Sequence, residues 1–132
     1  MKILSLDLST KFLYQPGKNS LHTFDNLYVV YLMIFPNNKI YCGYSGNLVR
    51  RWQSKSRYNK CPLVNKAIEK YGWENIQKYV IFSSSIQEDA LKKEAEIIEK
   101  LDLLNPKKGY NLIPGGGALP HPSKLNLSQE QI

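Results

Sequence analysis

Apolar residues along the chain form blocks that predict strands and helices. The longest block, residues 27–35, holds nine apolar or aromatic residues in a row. A run without polar alternation is typical of a central strand covered on both faces. Residues 39–44 follow a Pro-Asn-Asn turn and predict the returning strand of a hairpin. Residues 76–82 predict a third strand.

Three helices are predicted around these strands. Capping residues at 45–47 precede a helix over residues 48–55, which carries the apolar residues Leu48, Val49 and Trp52 and the basic residues Arg50, Arg51 and Lys55. A second helix over residues 62–72 begins at a proline and ends at a glycine, the positions that these residues favour. A third helix of about four turns covers residues 86–101. The chain therefore predicts a mixed α/β (α+β) domain.

The loop of the hairpin decides where its tyrosines point. A two-residue Asn-Asn turn would place Tyr31 and Tyr41 on opposite faces. A three-residue loop, with Asn38 in the left-handed conformation, would pair Phe35 with Lys39 and place both tyrosines on one face. We adopt the three-residue loop because it makes one site from both rings.

The length of 132 residues and the apolar content of 42% fit one small domain with a core. We place this domain at residues 27–113. Residues 1–26 form an N-terminal extension, which is either a fused upstream reading frame or an ordinary edge strand or disordered arm. Residues 114–132 are expected to be a linker and the start of a truncated C-terminal region, because a capping-box sequence falls at 128–131.

Simple counts argue against membrane, secreted and zinc-binding proteins. The nine-residue apolar run is shorter than the roughly 20 residues that span a bilayer. The N-terminus lacks the apolar region of a signal peptide, so we place the protein in the cytosol. Cys42 and Cys61 are expected to be reduced thiols, since the chain has no Cys-x-x-Cys or Cys/His cluster.

The formal charge of +7 is concentrated in one part of the chain. Residues 39–70 hold eight basic residues and one acidic residue, interleaved with aromatic residues. This pattern is typical of a surface that contacts a phosphate backbone, although a solvated basic face is the alternative. The candidate DNA contacts are Lys39, Arg50, Lys55, Arg57, Lys60 and Lys66.

One glutamate of the third helix falls on its apolar side. At about 100° per residue, Glu94 lies within the apolar arc, whereas Glu88, Glu96 and Glu99 lie among lysines. Burying an unpaired carboxylate is costly, so such a residue needs a cation or a metal as its partner. Glu94 therefore either forms a structural salt bridge, for example to Arg51, or has a functional role.

Tyr31, Tyr41, Arg51 and Glu94 together offer the groups that hydrolyse a phosphodiester. The reaction needs a water, a group that takes its proton, and positive charge on the phosphoryl oxygens. Glu94 can hold a hard cation such as Mg²⁺, and Arg51 can donate two hydrogen bonds to the phosphate. The tyrosines can orient the water, and a phenol whose pKa is lowered by nearby positive charge can accept its proton. Packing is the alternative role of each ring.

Five spaced elements resemble the GIY-YIG nuclease family over about residues 28–112. They are Val29-Val30-Tyr31, Tyr41-Cys42-Gly43, Arg51-Trp52, the helix glutamate Glu94 and Gly109-Tyr110-Asn111. The resemblance implies a small three-stranded antiparallel sheet flanked by helices. It also implies endonucleolytic cleavage of DNA with Mg²⁺ or Mn²⁺ as the cofactor.

The resemblance assigns a role to each matched residue. Tyr31 is the general base or positions the water, and Tyr41 is its partner. Arg51 binds phosphate, Glu94 binds the metal, and Asn111 shapes the site by hydrogen bonds.

Three positions depart from the family pattern. Val29 replaces a glycine and Cys42 replaces an aliphatic residue, which affects the geometry of the sheet rather than the chemistry. Lys55 stands where members often carry histidine or tyrosine, and we expect it to contact phosphate instead.

Within the family, residues 71–75 and 110–117 are most similar to homing endonucleases of phages and large DNA viruses. This implies separate DNA-binding modules, missing from this sequence, and a location in the cytosol of a host cell. The alternatives are a catalytically silent nucleic-acid-binding module and a structure-specific repair or restriction nuclease of the same fold.

Overall fold

The computed structural model describes residues 2–3, 6–53 and 58–116. Lys55, Arg57 and the capping-box sequence at 128–131 lie outside the described residues. The strands are β1 (Lys2–Ile3), β2 (Leu6–Asp7), β3 (Phe12–Leu13), β4 (Tyr28–Ile34), β5 (Ile40–Ser45) and β6 (Gln77–Ser84). The helices are α1 (Leu48–Gln53), α2 (Pro62–Tyr71) and α3 (Gln87–Lys100), with 3-10 turns at Leu21–Phe24 and Trp73–Asn75.

The main sheet has four antiparallel strands in the order β3-β6-β4-β5, and β1 and β2 form a separate two-stranded sheet. The predicted fold class is confirmed, but the predicted number of three strands is wrong. The additional strand comes from the N-terminal segment, where Phe12 pairs with Val80 and Leu13 with Tyr79. Two residues are too few to show an alternating pattern, so this strand is visible only in its pairing with the open edge of β6.

The β4–β5 hairpin has the three-residue loop that the sequence predicts. The Phe35 amide donates to the Lys39 carbonyl at 3.0 Å, and Asn38 has a φ of 70°. Met33 therefore pairs with Tyr41, two positions from Tyr31 on the same face. The prediction that both tyrosines share a face is confirmed.

Strand β4 is buried on both faces, as its unbroken apolar run predicts. One set of alternate residues packs with side chains of α1 and α2, and the other set packs with α3. The first set is Val29, Tyr31, Met33 and Phe35, and the second is Val30, Leu32 and Ile34. The sheet thus forms the middle layer between two groups of helices.

The three predicted helices are confirmed to within a few residues. The longest, α3, has 14 residues and buries Ala90, Ile97 and Ile98. Among the described residues, none of the helices could span a bilayer.

Candidate active site

Tyr31 and Tyr41 lie side by side on one face of the hairpin. The ring centroids of Tyr31 and Tyr41 are 6.4 Å apart. Tyr31 is buried and lies over Gly43, its partner across the strands. A Cβ at position 43 would lie 2.7 Å from Tyr31 Cε1 and closer still to Cζ and the hydroxyl oxygen. Because Gly43 has no Cβ, it leaves the space that the Tyr31 ring fills.

Helix α1 brings Arg51 and Trp52 to the tyrosines. The Asn47 Oδ1 atom begins the helix by accepting a hydrogen bond from the Arg50 amide at 3.1 Å, which confirms the predicted capping segment. The buried Trp52 ring meets Tyr31 edge-on at 5.0 Å and holds the helix against the sheet. Arg51 is half-buried beside it.

Tyr58 joins this group, although the sequence marks it only as one of the aromatic residues in the basic segment. It is fully buried, and its hydroxyl lies 2.8 Å from the Tyr31 hydroxyl. The Trp52 Nε1 atom donates to the same hydroxyl at 3.2 Å. The Arg51 guanidinium lies 5.3 Å from the centre of its ring. In the sequence, Tyr58 is one of several aromatic residues among basic residues, and no pattern distinguishes its buried position from a surface contact.

Helix α3 turns Glu94 inward, as the helical wheel predicts. Glu94 is half-buried, whereas Glu88, Glu96 and Glu99 are exposed. Its Oε1 atom accepts a hydrogen bond from the Gly116 amide at 3.1 Å. Burial raises the pKa of the Glu94 carboxyl, and the Gly116 hydrogen bond offsets only part of that effect. The sequence predicted a break in regular structure at these glycines but not this contact.

Asn111 closes the open edge of β5. Its Oδ1 atom accepts from the Cys42 amide at 2.9 Å, and its Nδ2 atom donates to the Cys42 carbonyl at 2.9 Å. The preceding residues follow the same edge, because Tyr110 donates its amide proton to the Ile40 carbonyl at 3.0 Å. Asn111 is buried and its amide group is engaged with the strand. It therefore fixes the segment after α3 to the edge of β5 by hydrogen bonds.

A cleft of about 330 Å³ opens where these segments meet. Tyr41, Glu94 and Asn111 line it, although they come from three separate parts of the chain. Tyr31 and Arg51 are not among its lining residues. The Tyr31 ring lies next to the Tyr41 ring, at 6.4 Å between centroids, and the Arg51 charge acts on the pKa of Tyr41. The remaining lining residues are Lys60, Cys61, Leu63, Val64, Tyr110, Leu112 and Ile113.

The predicted DNA contacts are spread more widely than the cleft. Lys60 is exposed and lines it. The Lys39 Nζ atom lies 5.5 Å from the centre of the Tyr110 ring. Arg50 and Lys66 are exposed on α1 and α2.

The expectation that nearby positive charge lowers the pKa of a catalytic phenol is wrong. Burial raises the pKa of Tyr31 and Tyr41 well above the usual range, and it raises the pKa of Tyr58 to about 12. The Arg51 guanidinium acts in the opposite direction on all three, but the loss of hydration on burial is the larger effect. At neutral pH the three phenols are therefore protonated and can donate hydrogen bonds.

Glu94 is the carboxylate that could hold a cation in this cleft. The described part of the chain contains no group of three or more His, Cys, Asp or Glu residues placed to bind a metal together. A hard cation such as Mg²⁺ can be held by one protein carboxylate when waters and substrate phosphate supply the other ligands. The half-buried Glu94 carboxylate lines an open cleft, so the residues present fit such a cation.

Comparison with known proteins adds a family to this geometry. The protein-family model of the GIY-YIG catalytic domain matches residues 27–111, which is more than half of the chain. No match was found among curated proteins or among solved structures. The matched range contains all five candidate site residues and both strands of the hairpin.

Proposed function

Because this chain belongs to the GIY-YIG nuclease family, we propose that it is a divalent-metal-dependent endonuclease that hydrolyses phosphodiester bonds of DNA. The observation that carries the proposal is the meeting of Tyr41, Glu94 and Asn111 at one cleft. These residues come from β5, α3 and the segment after α3, so only the folded chain brings them to one cleft.

Each residue has a separate role in the proposed reaction. Arg51 and Lys60 attract the phosphate, and the Arg51 guanidinium can donate two hydrogen bonds to its oxygens. Glu94 holds the cation, and Asn111 keeps β5 in place. When bound, Mg²⁺ or Mn²⁺ would supply positive charge to the phosphoryl oxygens and make the attacking water more acidic, so that its proton passes to the solvent in the open cleft.

Tyr41 acts as a hydrogen-bond donor in this proposal. Burial keeps its hydroxyl protonated at neutral pH, so it orients the attacking water or a phosphate oxygen rather than accepting a proton as a phenolate. Tyr31, which is only 1% exposed, supports this group from behind.

We further propose a homing-type endonuclease that acts in the cytosol, with residues 27–113 as the catalytic domain and residues 114–132 as a linker to separate DNA-binding modules. The similarity of residues 71–75 and 110–117 to phage and viral homing endonucleases supports this assignment. The exposed basic residues Arg50, Lys60 and Lys66 support binding through the phosphate backbone, with weak sequence preference.

The test is cleavage of supercoiled plasmid with Mg²⁺ or Mn²⁺. Glu94→Gln keeps the shape of the side chain and removes its charge, so nicking should fall by about 100-fold or more. Arg51→Lys should reduce it in the same direction, because lysine cannot donate the paired hydrogen bonds. Glu96→Gln is the matched control, since Glu96 is exposed on the same helix.

Three outcomes are informative. Loss of nicking in Glu94→Gln, with Glu96→Gln unchanged, supports the proposal. A folded wild-type chain that does not nick DNA with either metal contradicts it. DNA binding that weakens with salt, in the absence of cleavage, would favour a silent nucleic-acid-binding module instead.

A further inference from the structure

Tyr58 lies at the centre of the tyrosine–arginine half of the site. Its hydroxyl contacts the hydroxyl of Tyr31 at 2.8 Å and the indole nitrogen of Trp52 at 3.2 Å. Its ring meets Tyr41 edge-on, with 6.1 Å between centroids, and faces the Arg51 guanidinium at 5.3 Å. One fully buried side chain thus lies beside two candidate tyrosines and the candidate arginine.

The Tyr58 hydroxyl connects Trp52 to Tyr31. The indole N–H of Trp52 can only donate, so the Tyr58 oxygen is the acceptor in that contact. In the contact with Tyr31 either hydroxyl can be the donor. Because both phenols are buried, this hydrogen bond satisfies groups that solvent does not reach, and it fixes the distance between the two hydroxyl oxygens.

We propose that Tyr58 is a positioning residue for the nuclease reaction, which holds the Tyr31 hydroxyl and ring in place through their hydrogen bond. This role rests on the proposed nuclease function. The centroid of the Tyr31 ring lies 6.4 Å from that of Tyr41, which lines the cleft, so a shift of Tyr31 would move the support of the Tyr41 ring. The Tyr58 ring also supports the guanidinium of Arg51 from below.

The protonation of Tyr58 agrees with this role. Burial raises the pKa of Tyr58 to about 12, so its hydroxyl carries a proton throughout the neutral range. Its hydrogen bonds with Trp52 and Tyr31 therefore form between neutral groups.

Tyr58→Phe removes the hydroxyl and keeps the ring that faces Arg51. We expect kcat to fall by roughly 10-fold to 100-fold while KM changes by less than about twofold, because the defect lies in the orientation of Tyr31 and not in DNA binding. Tyr44→Phe is the matched control. Its hydroxyl also accepts a side-chain hydrogen bond, from Gln87 at 2.9 Å, but it packs with the cluster on the opposite face of the sheet.

A double-mutant cycle separates positioning from a general structural role. If Tyr58 acts through the Tyr31 hydroxyl, the variant with both Tyr31→Phe and Tyr58→Phe should lose no more activity than Tyr31→Phe alone. Independent structural damage would instead multiply the two losses. The indole N–H resonance of Trp52 gives a readout without catalysis, since in Tyr58→Phe it should shift and exchange faster with solvent.

The outcomes distinguish this role from the proposed function. A wild-type chain that cleaves DNA, with Tyr58→Phe equally active or with multiplicative losses in the cycle, overturns the positioning role alone. A wild-type chain without metal-dependent cleavage overturns the proposed function and this role with it. If Tyr58→Phe does not fold, Tyr58→His takes its place in the cycle, because the imidazole keeps a ring and a hydrogen-bonding nitrogen.

Discussion

Gly43→Ala tests whether the position of the Tyr31 ring controls activity. The new Cβ would lie 2.7 Å from Tyr31 Cε1, whereas non-bonded carbons keep about 3.5 Å or more. The ring or the strand must therefore move by about 1 Å. Strand β4 is paired on both sides, with β5 and β6, so we expect the ring to move and the backbone to stay.

The cost of this change has two parts. Inserting a methyl group into a packed core costs about 1–3 kcal/mol. Replacing a strand glycine with alanine returns about 0.5–1 kcal/mol, because the unfolded chain becomes less flexible. The net loss of stability should be about 1–2 kcal/mol. Displacing the Tyr31 hydroxyl from Tyr58 should reduce cleavage by up to about 100-fold, since a shift of about 1 Å has effects of that size in active sites.

Urea denaturation measures the stability loss, and single-turnover cleavage of plasmid DNA measures the rate. Gly46→Ala is the control, because its Cβ would come only within 3.3 Å of the Tyr28 ring, and Gly46 is exposed. In a Tyr31→Ala background the added methyl group has no ring to displace, so the cost of Gly43→Ala should disappear. The reasoning is refuted if Gly43→Ala matches the wild type in both assays, or if its cost is the same in both backgrounds.

Two further predictions concern stability. Asn111→Ala leaves the backbone N–H and C=O of Cys42 without their partner, and it should lower the free energy of unfolding by about 2–4 kcal/mol in urea denaturation; an unchanged midpoint would show that another group replaces the amide. Burial lowers the pKa of the Lys78 ammonium group from 10.5 to about 8. Between these two pH values the unfolded chain binds more protons than the folded chain, so the free energy of unfolding should rise by about 2 kcal/mol from pH 7 to pH 9.5. Burial raises the pKa of Cys42, which acts in the opposite direction, so the difference between the pH profiles of the wild type and Lys78→Met isolates the lysine; identical slopes would contradict the shift.

Local patterns in the sequence determined much of the fold. The unbroken apolar run predicted a strand buried on both faces, and β4 packs against helices on both sides. The turn residues and the need for a shared face predicted the hairpin register, because a left-handed Asn38 fixes which residues pair. The direction of Glu94 followed from the helical period alone. Each of these features depends on residues that are close in the chain.

Features that depend on distant segments required the tertiary structure. Strand β3 exists only through its pairing with β6, more than sixty residues away, and two residues carry no pattern of their own. The pKa values of the tyrosines rise because several elements together exclude water from them, and this desolvation outweighs the charge of Arg51 that the sequence did reveal. The place of Tyr58 likewise depends on packing between α1, α2 and the hairpin. The sequence alone thus determined the hairpin, its turn, strand β6 and the three helices, whereas strand β3 and the protonation and contacts of the site were decided by long-range packing, because neither edge pairing nor desolvation has a signature in local sequence.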